Sequence, residues 1–123
     1  MNASGLLSIA IVDDDESLCR SLGRLLRAAG MHSVAYGSAE AFLGEVGRIA
    51  YDCLLLDVQL TGISGIELQQ RLVSAGERTP VIFITAHDDP EAREQAFAAG
   101  CTGYFRKNDA GAKVIEAIRR AAV

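Results

Sequence analysis

Tyr51-Asp52-Cys53-Leu54-Leu55-Leu56-Asp57 is a short apolar run that ends on a carboxylate. A run of this length bounded by turn residues reads as a strand buried on both faces. In open α/β sheets, ligands bind beyond the carboxyl ends of the strands, so Asp57 is the first candidate for chemistry. Two other runs share this form: Leu7-Ser8-Ile9-Ala10-Ile11-Val12 ends in Asp13-Asp14-Asp15, and Val81-Ile82-Phe83-Ile84 ends in Thr85. Three strand ends would thus bring carboxylates and a hydroxyl to one edge.

Helical spacing fills the intervals between the runs. After a polar leader (Met1 to Gly5) and a strand from about Leu6 to Val12, Asp14 or Asp15 caps a helix. Its apolar positions are Leu18, Leu22, Leu25, Leu26 and Ala29, and it stops at Gly30. His32 to Tyr36 alternates like a second strand, and Ser38 opens a second helix that ends near Gly44 or Gly47. Beyond Asp57, Val58 to Ser64 has loop composition. Ile66, Leu68, Leu72 and Val73 then mark a third helix, from about Gly65 to Gly76.

Pro80 introduces the fourth strand, and Asp88 or Asp89 caps an alanine-rich helix with Pro90 in its first turn and Gly100 at its end. A short strand, Thr102 to Arg106, precedes a final helix. That helix begins at Asn108 or Asp109, turns Val114, Ile115 and Ile118 inward, and carries Arg119 and Arg120 in its last turn. Five β units alternating with five α units predict a doubly wound α/β fold, because each parallel crossover needs a connecting helix.

The 123 residues suffice for one domain with a real core, and half of them are hydrophobic. A net charge of −4 offers no basic stripe to follow a phosphate backbone, so nucleic-acid binding by this chain is not expected. Cys19, Cys53 and Cys101 show no CxxC spacing and read as small apolar residues of a reducing compartment. No stretch approaches the length of a membrane span, and no signal-peptide pattern is present. A soluble cytoplasmic protein is the expectation.

In a parallel sheet, Asp13, Asp14, Asp57, Thr85 and Lys107 share one edge. Clustered carboxylates repel one another, and burial would raise their pKa values unless a cation joins them. A hard divalent ion such as Mg²⁺ suits oxygen donors and takes only one or two carboxylates directly. A carboxylate can also act as the nucleophile toward a phosphoryl group, with Lys107 as a point charge and Thr85 as a hydroxyl donor. Taken singly, each of these residues has a plainer reading: a cap, a local hydroxyl bond, a solvated charge. Their joint placement gives them a function.

The segments Ile11-Val12-Asp13-Asp14-Asp15, Leu54-Leu55-Leu56-Asp57, Ile84-Thr85-Ala86 and Tyr104-Phe105-Arg106-Lys107, in that order, resemble the receiver domain of bacterial two-component response regulators. The resemblance is closest to receivers of the FixJ type, on Ser38-Ala39-Glu40-Ala41-Phe42-Leu43 and Ile84-Thr85-Ala86-His87. It implies a five-stranded parallel sheet of order 2-1-3-4-5 with five helices, and a single receiver domain over 1–123 with no output domain in this chain. By the same resemblance Asp57 is the phosphoacceptor of a sensor histidine kinase. Asp14 and Asp57 bind Mg²⁺ directly, the Gln59 backbone carbonyl adds a ligand, and Asp13 acts through water. Thr85 and Lys107 hold the phosphoryl oxygens, His87 lies where receivers tune water access, and Tyr104 turns in as the switch. The implied output surface is the fourth helix, fifth strand and fifth helix, which could meet a homodimer mate, an output domain outside this chain or a partner protein.

Two residues depart from the family pattern. Asn108 stands where proline, joined by a cis bond, commonly follows the lysine. A cis bond to a non-proline residue costs about 3 kcal/mol, which predicts a trans Lys107-Asn108 bond and a reshaped loop. Thr61 also stands in place of a proline, predicting a freer loop after Asp57. Both departures favour the rival reading, a phosphorylation-independent pseudo-receiver that acts as an interaction module. The intact acidic residues and Lys107 weigh against it. A phosphohydrolase would need a second acid where Gln59 stands. A flavin-binding flavodoxin would not place three aspartates in its phosphate loop.

Overall fold

A computed structural model of the chain describes residues 5–45, 50–87, 89–109 and 111–122. The strands are β1 (Ser8–Val12), β2 (His32–Tyr36), β3 (Cys53–Leu56), β4 (Val81–Thr85) and β5 (Gly103–Arg106). The helices are α1 (Glu16–Ala28), α2 (Ala39–Leu43), α3 (Gly65–Ser74), α4 (Pro90–Ala98) and α5 (Gly111–Ala121). All strand pairings are parallel and the order is β2-β1-β3-β4-β5, as the alternation and the family resemblance predict.

Uninterrupted apolar runs form the central strands because both faces of the sheet are covered. Ala10, Val12, Leu54, Leu56, Val81 and Phe83 belong to one buried cluster, which includes residues of α2, α3 and α4. The intervening Ile9, Ile11, Cys53, Leu55, Ile82 and Ile84 belong to a second cluster with Leu22 and Leu26 of α1 and Val114, Ile115 and Ile118 of α5. The period of two along each strand thus fixes which helix layer each side chain meets. Gln69 is the one buried side-chain amide among the described residues, and its Nε2 donates to the Ala96 carbonyl at 3.1 Å, joining α3 to α4.

Helix starts follow the expected chemistry. Asp15, Ser38, Ser64 and Asp89 cap α1, α2, α3 and α4 through their side-chain oxygens. Asp88 and Gly47, the alternative cap and stop, lie outside the described residues, as does most of the leader. Of the apolar residues that mark α3, Val73 is 54% exposed. Helical periodicity puts Val73 on the same side as Ile66 and Gln69, both buried, so its exposure is not set by the helical period. At the sheet edge only Tyr36 of β2 is buried, because the five-residue α2 covers little of that strand. The final helix does not begin at Asn108 or Asp109: Lys107–Asp109 form a short 3₁₀ turn and α5 starts at Gly111. No cis peptide bond occurs among the described residues, so Lys107-Asn108 is trans as expected.

Candidate functional site

Register brings the acidic residues together. Val12 pairs with Leu56 across β1 and β3, so the residues that follow them, Asp13 and Asp57, emerge side by side. The Asp57 amide donates to the Val12 carbonyl at 3.0 Å, and the Asp13 amide donates to the Tyr36 carbonyl at 3.0 Å. Asp13 is 3% exposed and Asp57 4% exposed, whereas Asp14 faces solvent. One oxygen from each of the three lies within 4.8 Å of the others. Asp15 is the exception in the triplet, since its carboxylate accepts the Leu18 amide as the cap of α1.

Lys107 reaches this cluster from the end of β5. Its Nζ lies 3.1 Å from Asp13 Oδ2 and 3.2 Å from Asp57 Oδ2. The trans bond to Asn108 and the 3₁₀ turn therefore leave the ammonium between two buried carboxylates. Burial pushes the Asp57 carboxyl above the ordinary range. The Gln59 amide that it accepts opposes this, Asp13 adds to it, and Lys107 opposes it again. For Lys107, burial works to lower the pKa, but the hydrogen bond to Asp13 and the charge of Asp57 outweigh it and the net shift is upward.

The other predicted residues stand as follows. The Gln59 amide donates to Asp57 Oδ1 at 3.1 Å, which sets the carboxylate plane. Thr85 ends β4 and is 1% exposed; its hydroxyl donates to the His87 carbonyl at 3.0 Å and accepts the His87 amide at 3.3 Å. Tyr104 lies further back on β5, opposite Phe83 in register. It is turned inward at 7% exposure, with Phe83 and Phe97 at centroid distances of 6.0 and 6.4 Å and the Arg93 guanidinium over its ring at 5.4 Å. Lys107 thus joins the acidic cluster, Thr85 ends the neighbouring strand with its hydroxyl on the His87 backbone, and Tyr104 belongs to the packing between β5 and α4.

Sequence reasoning missed two supports. Gly65 at the start of α3 comes so close to β3 that a Cβ there would collide with the Asp57 carbonyl oxygen and lie 3.1 Å from Val58 Cα. Thr61, expected only to loosen the loop, donates its hydroxyl to Asp14 Oδ2 at 3.3 Å, and the Ile63 amide two residues later donates to Glu40 at 3.3 Å. The loop is therefore tied at two points, a correction to the expectation drawn from a missing proline. The glycine at 65 could have been noticed as an odd residue in the first turn of a helix. The Thr61 contact spans 47 residues and has no local signal.

Three carboxylates with no nitrogen or sulfur donor among them suit a hard divalent cation. Asp14 gives such an ion a solvent-facing ligand, and the buried pair beside it benefits from added positive charge.

Comparison with known proteins agrees with this geometry. Residues 9–119 match the family described as the response regulator receiver domain. Over 113 residues the chain is 39% identical to the response regulator protein TmoT of Ectopseudomonas mendocina, covering 92% of this chain and 51% of that protein. A crystal structure of FixJ-N superposes with a TM-score of 0.87 at 33% identity, covering 94% of this chain and 93% of the other. A receiver protein from Burkholderia phymatum gives 0.81 at 42% identity, with 94% of each chain covered. The chain spans about half the length of the curated relatives it matches.

Proposed function

The chain belongs to the receiver-domain family of two-component response regulators and is similar to FixJ-type receivers, and we propose that it is a phosphoacceptor switch in which Asp57 takes a phosphoryl group from a sensor histidine kinase. The observation that carries the proposal is the pairing of Lys107 with Asp57 and Asp13 at the carboxyl end of the sheet, beside the solvent-facing Asp14. An Asp57 carboxylate oxygen attacks phosphorus. The bond from phosphorus to the donor imidazole breaks, and the leaving imidazole keeps the bonding pair and takes up a proton from solvent. Asp14 and Asp57, with Asp13 through water and the Gln59 carbonyl, would hold Mg²⁺. A bound Mg²⁺ offsets charge on the phosphoryl oxygens, so that an anionic donor can approach an anionic nucleophile.

Lys107 is the second cation of the site and would move from its carboxylate partners onto the transferred group. Thr85 would exchange its bonds to the His87 backbone for one to a phosphoryl oxygen, which draws the segment after β4 toward Asp57. A phosphoryl group shifts a population only by bonding better to one arrangement, and these two side chains supply the difference. Tyr104 would then be held in its inward place, and the surface of α4, β5 and α5 would change for a homodimer mate, an output domain or a partner protein. No helix among the described residues is long and apolar enough to cross a membrane, and a cytoplasmic setting beside a kinase follows from the proposal.

The test is incubation of the chain with Mg²⁺ and acetyl phosphate, read by intact mass, beside an Asp57→Asn variant. One phosphoryl adduct that is absent from the variant supports the proposal. A folded, Mg²⁺-loaded protein that never gains the adduct overturns it.

A further inference from the structure

Apart from Lys107, which lies against Asp13 and Asp57, each of the three clustered carboxylates has one oxygen held by a donor. Asp13 Oδ1 accepts the Asp15 amide at 2.8 Å, and Asp57 Oδ1 accepts the Gln59 amide at 3.1 Å. Both donors are backbone groups two residues downstream, and both carboxylates are buried. Asp14 differs, because it is exposed and its donor is a side chain from a distant loop, the Thr61 hydroxyl at 3.3 Å from Oδ2. An exposed aspartate samples several rotamers, and ligating an ion requires it to give up that freedom.

The Thr61 loop is itself held. Gly62 adopts φ +84°, and a Cβ at that position would collide with the Glu40 carboxylate, so the loop lies directly against α2. Glu40 Oε2 then accepts the Ile63 amide at 3.3 Å. A continuous path runs from the first turn of α2 through the loop after Asp57 to the solvent-facing carboxylate of the cluster.

We propose that Thr61 is a positioning residue for the divalent cation, fixing Asp14 Oδ2 so that the other oxygen is presented to the ion, and that Glu40 acts through Thr61 by holding its loop. This rests on the proposed Mg²⁺ site. Partners of this kind, one contact removed from a metal, commonly change affinity by about tenfold or more when deleted, and an exposed hydroxyl at this distance belongs somewhat below that range.

The experiment is calorimetric titration of the chain with Mg²⁺ alone, in the absence of any phosphodonor. Thr61→Val keeps the shape and removes the hydroxyl, and should weaken binding by about threefold or more. Thr61→Ser restores the hydroxyl and should bind within about twofold of the wild type. Because Thr61 is exposed, the thermal midpoint without Mg²⁺ should be alike in all three proteins. Glu40→Ala should weaken binding in the wild-type background and add little in the Thr61→Val background, since it acts through the same contact. If Thr61→Val binds as tightly as wild type, or if the whole Glu40→Ala loss persists without the hydroxyl, the inference is overturned while the phosphoacceptor reading stands. A wild-type chain that binds no Mg²⁺ overturns both.

Discussion

Lys107 stands between two buried carboxylates, and the charge balance of the site turns on it. Removing one partner of a buried ion pair typically costs about 3–5 kcal/mol, reduced where the remaining charges are close to solvent. For Lys107→Met, whose native side chain is partly exposed, we expect a loss of about 2 kcal/mol in urea denaturation without divalent cation. Mg²⁺ should return part of it by supplying charge to the same carboxylates. A variant as stable as wild type, or one that Mg²⁺ does not rescue, would contradict this balance. Gly65 makes the second case at this scale. Gly65→Ala places a methyl group against the Asp57 carbonyl, and overpacking of that kind costs about 1–3 kcal/mol, measurable in the same assay. Asp57 and Asp13 were legible as candidate residues because each directly follows an apolar run, Asp14 because it adjoins Asp13, and Lys107 because it follows the last predicted strand. Thr61, Glu40 and Gly65 were not, because their contacts depend on how a loop folds back.

The contact that bears on the proposed output surface is α4 against β5. Arg93 lies over both Phe97, at 5.1 Å, and Tyr104, so one exposed cation and one half-exposed ring cover the aromatic of the proposed switch. A cation–π contact at an exposed site contributes about 0.5–1 kcal/mol. Arg93→Ala should cost that much stability and raise the mobility of the Tyr104 ring in NMR relaxation; an unchanged ring would detach Arg93 from the proposed switch. The alternation of apolar runs with helical spacing made all ten elements visible in the sequence. What it could not reveal were details set by packing: the solvent-facing Val73, the exposed β2, and the 3₁₀ turn that delays α5 to Gly111. Each arises because neighbours, rather than local preference, decide which side of an element is covered.

For the whole molecule, burial has made the fold sensitive to alkali. Desolvation pushes the Cys53 thiol up to about 12 and raises Cys19 and Cys101 as well. Burial also raises Tyr36, aided by its bonds to Tyr51 and Glu45, and Lys107 shifts the same way through its carboxylate partners. A group whose folded pKa is raised contributes stability that is complete below its unfolded value and is lost as pH climbs through the folded value. Stability should therefore fall as pH rises from about 9 toward 12, by at most about 1.4 kcal/mol per pH unit for each such group. Cys53→Ala should show a shallower decline of the thermal midpoint over that window, whatever its stability at neutral pH; an identical slope would refute the burial argument for that thiol. The sheet at the centre of this core also aligns the strand ends that form the acidic cluster, so stability and the proposed phosphoacceptor chemistry depend on the same register. The most direct test of the phosphoacceptor account is to locate the modification itself. After treatment with Mg²⁺ and acetyl phosphate, borohydride reduction converts an acyl phosphate on aspartate to homoserine, which peptide mass mapping can locate. The account predicts homoserine at position 57 and nowhere else, and its appearance at Asp13 or Asp14, or its absence throughout, would contradict the account.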